Sequence, residues 1–157
     1  MKTEPGTYAL ILECAVRAEL RISRRLRMDT EPGYYVYVGS AFGPGGVRAR
    51  VSRHFQREKA KRWHIDFLRE FVTFREVWYS HAPKHLEHVW ARIFHEMAGY
   101  LPVEGFGCSD CKCRSHLFRT QKQPELAVFS RRAAGKTEVL GFPEAGFAEP
   151  GGFHLES

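Results

Sequence analysis

The run Tyr34-Tyr35-Val36-Tyr37-Val38-Gly39 constrains the fold most, because every position before the glycine carries a β-former. Glu31-Pro32-Gly33 sets a turn before it, and Gly43-Pro44-Gly45-Gly46 breaks the chain after it. Strand alternation puts Tyr35, Tyr37 and Gly39 on one face. A second strand is expected at residues 7–13, which are short, apolar and preceded by Pro5-Gly6, with Tyr8, Leu10 and Leu12 sharing a face. The 157 residues are 43% apolar and 13% aromatic, enough to bury a core and to exclude global disorder.

Beyond the glycine break the period changes. Val47, Val51 and Phe55 stand four apart, which predicts a helix from Val47 to about Glu58. A short helix is expected at 63–71 and a strand at 73–79. Pro83 suits a helix start, and Leu86, Val89, Trp90, Ile93, Phe94 and Met97 form the stripe of a helix running to about Tyr100. The Arg-rich residues 15–28 read as one or two exposed strands. The element order predicts an α+β fold, a small, mostly antiparallel sheet flanked by helices. From Gln121 onward Gly, Pro, Ala and Glu dominate. The expected division is a domain over 5–119 and a loosely attached Gly/Pro-rich extension over 120–157, with local order around Leu126–Phe129.

Charge points to the class of partner. The formal net charge is +6. Residues 1–120 hold 20 Lys+Arg and 13 Asp+Glu, or +7, and residues 121–157 hold 4 and 5, or −1. A basic domain favours a polyanion, since each neutralised phosphate releases counterions; solubility alone is the other reading. No apolar run approaches the ~18 residues of a membrane span, and the polar start Met1-Lys2-Thr3-Glu4-Pro5-Gly6 lacks a signal stretch. The expectation is a cytoplasmic protein with no membrane partner, whose four cysteines are thiols or metal ligands.

Four features then follow in chain order: Gly6-Thr7-Tyr8, Tyr37-Val38-Gly39, the pair Arg50 and His54 on one helix face, and Glu87 early on the last long helix. This ordered set resembles the GIY-YIG nuclease superfamily. The strings at 32–41, 63–68 and 105–118 look like its small Uri-type subfamily, whose members stand alone or are joined to a base-excision glycosylase. The likeness covers roughly residues 5–119. It implies a GIY-YIG-like fold and a metal-dependent endonuclease acting on nucleic acid, with DNA the expected substrate and repair or mobile-element processing the setting. It also implies that Tyr8 takes a proton from water, with Tyr37 beside it. Arg50 would hold a phosphate oxygen, His54 would orient or relay, and Glu87 would bind one Mg²⁺ or Mn²⁺ at the leaving oxygen. Ser40 stands where some relatives have a lysine, and no asparagine follows Pro102.

The nucleic-acid face is expected to comprise Gly39, Ser40, Arg48, Arg53, Arg57, Lys61 and Arg62. Gly39 and the 43–46 loop would stay small because the backbone there approaches the phosphate. Since no second DNA-binding domain is evident, the expectation is either low specificity or specificity supplied by a partner, such as a repair protein. A non-catalytic nucleic-acid-binding module on the same fold is the alternative. The cluster Cys108-x₂-Cys111-x-Cys113-x₂-His116 has zinc-type ligands, but four ligands of one ion within nine residues is an unusual pattern. The favoured reading is therefore that Cys108, Asp110, Cys111, Cys113 and His116 border the active site, with zinc the other. His81, His85 and His88 read as a solvated helix start.

Overall fold

The computed structural model describes residues 1–108, 112–133 and 137–141. Its centre is a six-stranded sheet of β1 (Gly6–Cys14), β4 (Gly33–Ala41), β5 (Val72–Ser80), β6 (Leu101–Pro102), β7 (Leu117–Thr120) and β8 (Glu138–Gly141), in the order β6-β7-β4-β1-β5-β8. Every neighbouring pair is antiparallel. The Arg-rich segment forms a separate hairpin of β2 (Ala18–Arg21) and β3 (Arg27–Thr30). The helices are α1 (Gly46–Phe55), α2 (His64–Leu68), α3 (Glu87–Glu96) and α4 (Leu126–Arg132), with a 3₁₀ turn at Arg69–Phe71 after α2. This is the expected α+β architecture. Among the described residues no helix is long and apolar enough to cross a membrane.

β1 has a partner on each edge, so its two faces feed two cores. Tyr8, Leu10 and Leu12 pack with Tyr35, Val47, Val51 and Ile65, while Ala9 and Ile11 pack with Val36, Val38, Trp78, Trp90 and Phe94. The same alternation runs through β4, as the period of two requires. The sheet is thus a middle layer, with α1, α2 and the hairpin on one side and α3 and α4 on the other.

Several elements differ from expectation. The hairpin is not simply exposed, because Leu20, Ile22 and Met28 are buried in the first core. α1 ends at Phe55 rather than near Glu58, where the Lys59 ammonium donates to the carbonyls of Arg53 and His54 at 2.8 and 2.9 Å. α3 spans only Glu87–Glu96. The chain before it is tied to the N-terminus through His81, which meets the Pro5 carbonyl at 3.0 Å, and through the Leu86 amide, which donates to Thr7 Oγ1. Gly99, at φ 88°, turns the chain after it. Val89, assigned to the apolar stripe, is exposed.

Of the C-terminal extension, the described residues 121–133 and 137–141 include elements that pack on the domain. β7 runs through residue 120, and β8 pairs with β5 at Val77↔Leu140 and Trp78↔Val139. Phe129 of α4 is fully buried, stacked on Phe94 at 4.8 Å and edge-on to Trp90 at 5.1 Å. The run Leu126-Ala127-Val128-Phe129 is too short to raise a periodic signal, yet burying Phe129 stabilises the fold by about 1.5–3 kcal/mol.

Candidate active site

β1, β4, α1 and the start of α3 bring Tyr8, Tyr37, Arg50, His54 and Glu87 to one region. The antiparallel register sets Tyr8 opposite Gly39. A Cβ at Gly39 would overlap the Tyr8 phenol, so the residue is small for its neighbour's ring rather than for an approaching phosphate. α1 then lays His54 over that ring, with the Tyr8 hydroxyl and His54 Nε2 2.6 Å apart. Tyr37 and Trp63 close on His54 with ring centroids at 5.8 and 5.6 Å.

A second string of contacts joins this pair to the carboxylate. Arg50 lies over Trp63 at 4.6 Å and donates from Nη1 to the Ser40 carbonyl at 3.3 Å. The Ser40 hydroxyl donates to Glu87 Oε2 at 3.1 Å, and His116 Nδ1 stands 3.1 Å from Glu87 Oε1. Ser40, Arg50, Tyr37 and Glu87 are all half-buried, so this end opens to solvent, whereas Tyr8 and His54 are buried.

Burial sets the protonation states. It pushes the Tyr8 phenol well above its ordinary value, as do the neighbouring Tyr37 and Glu87, while the Arg50 charge pulls it down. Tyr37 is raised by burial and by Glu87. His54 is lowered to about 3 by burial and by the charge of Lys59, so its ring is neutral. A neutral ring can accept the Tyr8 proton at Nε2, which puts its own proton on Nδ1. That atom is buried with no hydrogen-bond partner among the described residues. For Glu87, burial works upward, but bonds from His116 and Ser40 outweigh it and hold the carboxyl below its ordinary value. Glu87 is therefore ionised at neutral pH. With the Ser40 hydroxyl it forms a hard-oxygen set that fits Mg²⁺ or Mn²⁺ retaining several waters.

The basic residues divide. Arg53 donates twice to Asp66, at 3.1 and 3.0 Å, and lies 4.1 Å over Trp63. Asp66 also accepts the amides of Arg62 and Trp63. Burial would raise that carboxyl, but these donors lower it to about 2. Arg53 thus anchors α1 to α2 and is not available as a phosphate contact. Lys61 pairs with Glu70 at 3.7 Å, and Arg57 reaches the Glu70 carbonyl. Arg48 is half-buried, and Arg57, Lys61 and Arg62 are exposed. The first turn of α1 has its amides engaged, because Gly46, Val47 and Arg48 donate to the carbonyls of Gly43, Glu4 and Lys2 at 3.2, 3.1 and 3.1 Å.

Sequence reasoning missed two structural groups. Asp66 organises Arg53, Lys59 and the start of α2. Arg69, almost fully buried, donates to the carbonyls of Phe55 and Val72. Neither leaves a trace in periodicity, since each bonds across 13 or 14 residues. In the cysteine cluster, Asp110 and Cys111 lie outside the described residues. His116 borders Glu87, as expected of a site border. Cys108 donates its thiol to the Phe106 carbonyl. Cys113 and His116 come together with His88, their ligand atoms all within 4.8 Å.

A family model described as a domain of unknown function, DUF123, matches residues 7–138. No curated protein and no solved structure matches the chain.

Proposed function

The chain belongs to the DUF123 family, and we propose that it is a metal-dependent endonuclease of the GIY-YIG kind, hydrolysing phosphodiester bonds in DNA. One observation carries the reading: the buried Tyr8–His54 hydrogen bond lies beside an arginine and an ionised carboxylate that reach solvent together. Water attack on a phosphodiester needs a proton acceptor, a cation at the non-bridging oxygens and relief of charge on the leaving oxygen.

In this scheme the Tyr8 oxygen accepts the proton of the attacking water as its own proton passes to His54 Nε2. The bare pocket holds Tyr8 protonated and His54 neutral, the starting state such a relay requires. A bound phosphodiester adds negative charge nearby, which raises the proton affinity of His54. Arg50, its guanidinium steadied over Trp63, holds a non-bridging oxygen through its remaining donors. Glu87 and the Ser40 hydroxyl would hold a divalent ion, whose chemistry when bound would be to stabilise negative charge on the leaving oxygen.

Plasmid nicking in Mg²⁺, in Mn²⁺ and in chelator tests the reading. Wild-type protein nicks in either metal and not in chelator. Glu87→Ala is inactive in Mg²⁺, and excess Mn²⁺ restores part of the activity. Burial that keeps Tyr8 a weak acid favours the second reading, a nucleic-acid-binding module without catalysis. A wild type that binds duplex but does not nick in any metal selects it.

A further inference from the structure

We infer that His88, Cys113 and His116 form a zinc-class metal site, distinct from the hard-ion position at Glu87. Helix α3 contributes His88, and the segment leading into β7 contributes Cys113 and His116. Their ligand atoms lie within 4.8 Å of one another. A tetrahedral zinc with bonds of ~2.0–2.3 Å holds its ligand atoms ~3.3–3.8 Å apart. Small side-chain rotations close the difference, and His88 is exposed and able to make one. The rings of His88 and His116 already meet edge to face at 5.8 Å.

The donor chemistry selects the ion. Two imidazoles and a thiolate suit zinc and poorly suit Mg²⁺, which prefers oxygen. Three protein ligands leave a fourth position for water or an anion. His88 and Cys113 line a cleft of about 340 Å³, which has room for that ligand. Arg92, Lys112 and Arg114 line the same cleft. Their charge suits a thiolate at the metal and an anion in the fourth position.

Glu87 supplies a second, independent mark. Metal-binding histidines are usually oriented by a carboxylate on the ring nitrogen that does not touch the metal. His116 Nδ1 stands 3.1 Å from Glu87 Oε1, which assigns Nε2 to the ion. The site would thus staple the chain before β7 to α3 and fix the carboxylate of the neighbouring site. This differs from a knuckle built on Cys108, Cys111, Cys113 and His116, because it needs His88 and not Cys108. The inference does not depend on nuclease activity.

Metal content and Co²⁺ spectra of the full chain test it. One equivalent of zinc is expected, exchangeable for Co²⁺ with a thiolate charge-transfer band. Cys113→Ser should abolish that band, and His88→Ala should weaken binding at least tenfold. Cys108→Ser should change neither. Glu87→Gln should lower affinity by about 10–100-fold, as loss of an orienting carboxylate does. Circular dichroism on the exposed-residue variant His88→Ala excludes unfolding as the cause. A wild type that binds no zinc overturns the site. Binding that survives His88→Ala unchanged, or that is lost in Cys108→Ser, overturns it in favour of the cysteine knuckle.

Discussion

On the face of the sheet covered by α3 and α4, Ala9, Ile11, Val36 and Val38 meet Trp90, Phe94 and Phe129, carbon against carbon. On the opposite face the same two strands present Tyr8, Tyr37 and Gly39 to His54 of α1. Tyr8 and His54 are as closed to water as the apolar face, but the consequences differ. Apolar burial stabilises by itself. Burial of a phenol and an imidazole suppresses their charged forms and leaves His54 Nδ1 without a partner among the described residues. One face supplies cohesion, and the other keeps a phenol and an imidazole neutral over a wider pH range than water does.

The largest effect should come from the apolar face. Phe129→Ala removes a ring stacked between Phe94 and Trp90 and should lower stability by about 3–5 kcal/mol in urea unfolding. A loss below ~1 kcal/mol would mean that α4 is not part of the core.

On the other face, Arg50→Ala should leave the unfolding midpoint within about 0.5 kcal/mol of wild type. Nicking should nonetheless fall ~10²–10³-fold, and no metal should rescue it, because the lost group acts on the phosphate directly. An equal fall in stability would make Arg50 a structural residue and erase the contrast between the faces.

The third test is pH. His54 is held near 3 when folded, against an ordinary value of 6.5. Between those values the unfolded chain binds a proton that the folded chain refuses. Stability at this site is therefore fully present above about pH 6.5 and lost as pH falls toward about 3, by up to ~1.4 kcal/mol per pH unit. Asp66, lowered to about 2 from 3.8, adds a loss as pH falls from about 3.8 toward 2, below the interval from pH 6.5 to 4. His54→Gln should flatten the slope of urea midpoints between pH 6.5 and 4. Parallel slopes in wild type and variant would show that His54 is not buried neutral.

The smallest effect separates two arginines of one basic stretch. Arg57→Ala should leave stability unchanged and reduce the salt dependence of duplex binding by ~0.9 log unit per log salt if it contacts one phosphate. Arg53→Ala should instead lower stability, because it removes the two guanidinium hydrogen bonds to the buried carboxylate of Asp66 and leaves it the Lys59 charge and two amides. Identical behaviour of the two would remove the distinction between an anchoring and an exposed cation.

How far each feature was legible follows from the range of the interaction behind it. Strand alternation and helical spacing are local, and they suffice to predict β1, β4, β5 and α1 and to set Tyr8 and Tyr37 on one face of a sheet. They also put Arg50 beside His54. They overextended α3, because Leu86 and Val89 keep the helical period while contacts from Thr7 and His81 to distant chain hold the preceding residues outside the helix. Asp66 and Arg53 looked like a helix acid and one more surface cation, since nothing near either in sequence announces the other.

The sequence by itself determined the strand or helix character of the main segments, which rests on spacing within a few positions and predicts the α+β class; the residues gathered at the candidate site were legible through their resemblance, in chain order, to a known family. Only the tertiary structure decided what those residues touch. Packing of α3 on the sheet brings Glu87 to Ser40 across 47 residues, and chain crossing brings His116 to Glu87 and His88 to Cys113. It also sets Phe129, the last residue of the short apolar run 126–129, against Trp78, Trp90 and Phe94. Periodicity records which face a side chain occupies; the partner on that face depends on register and packing, which no local pattern carries.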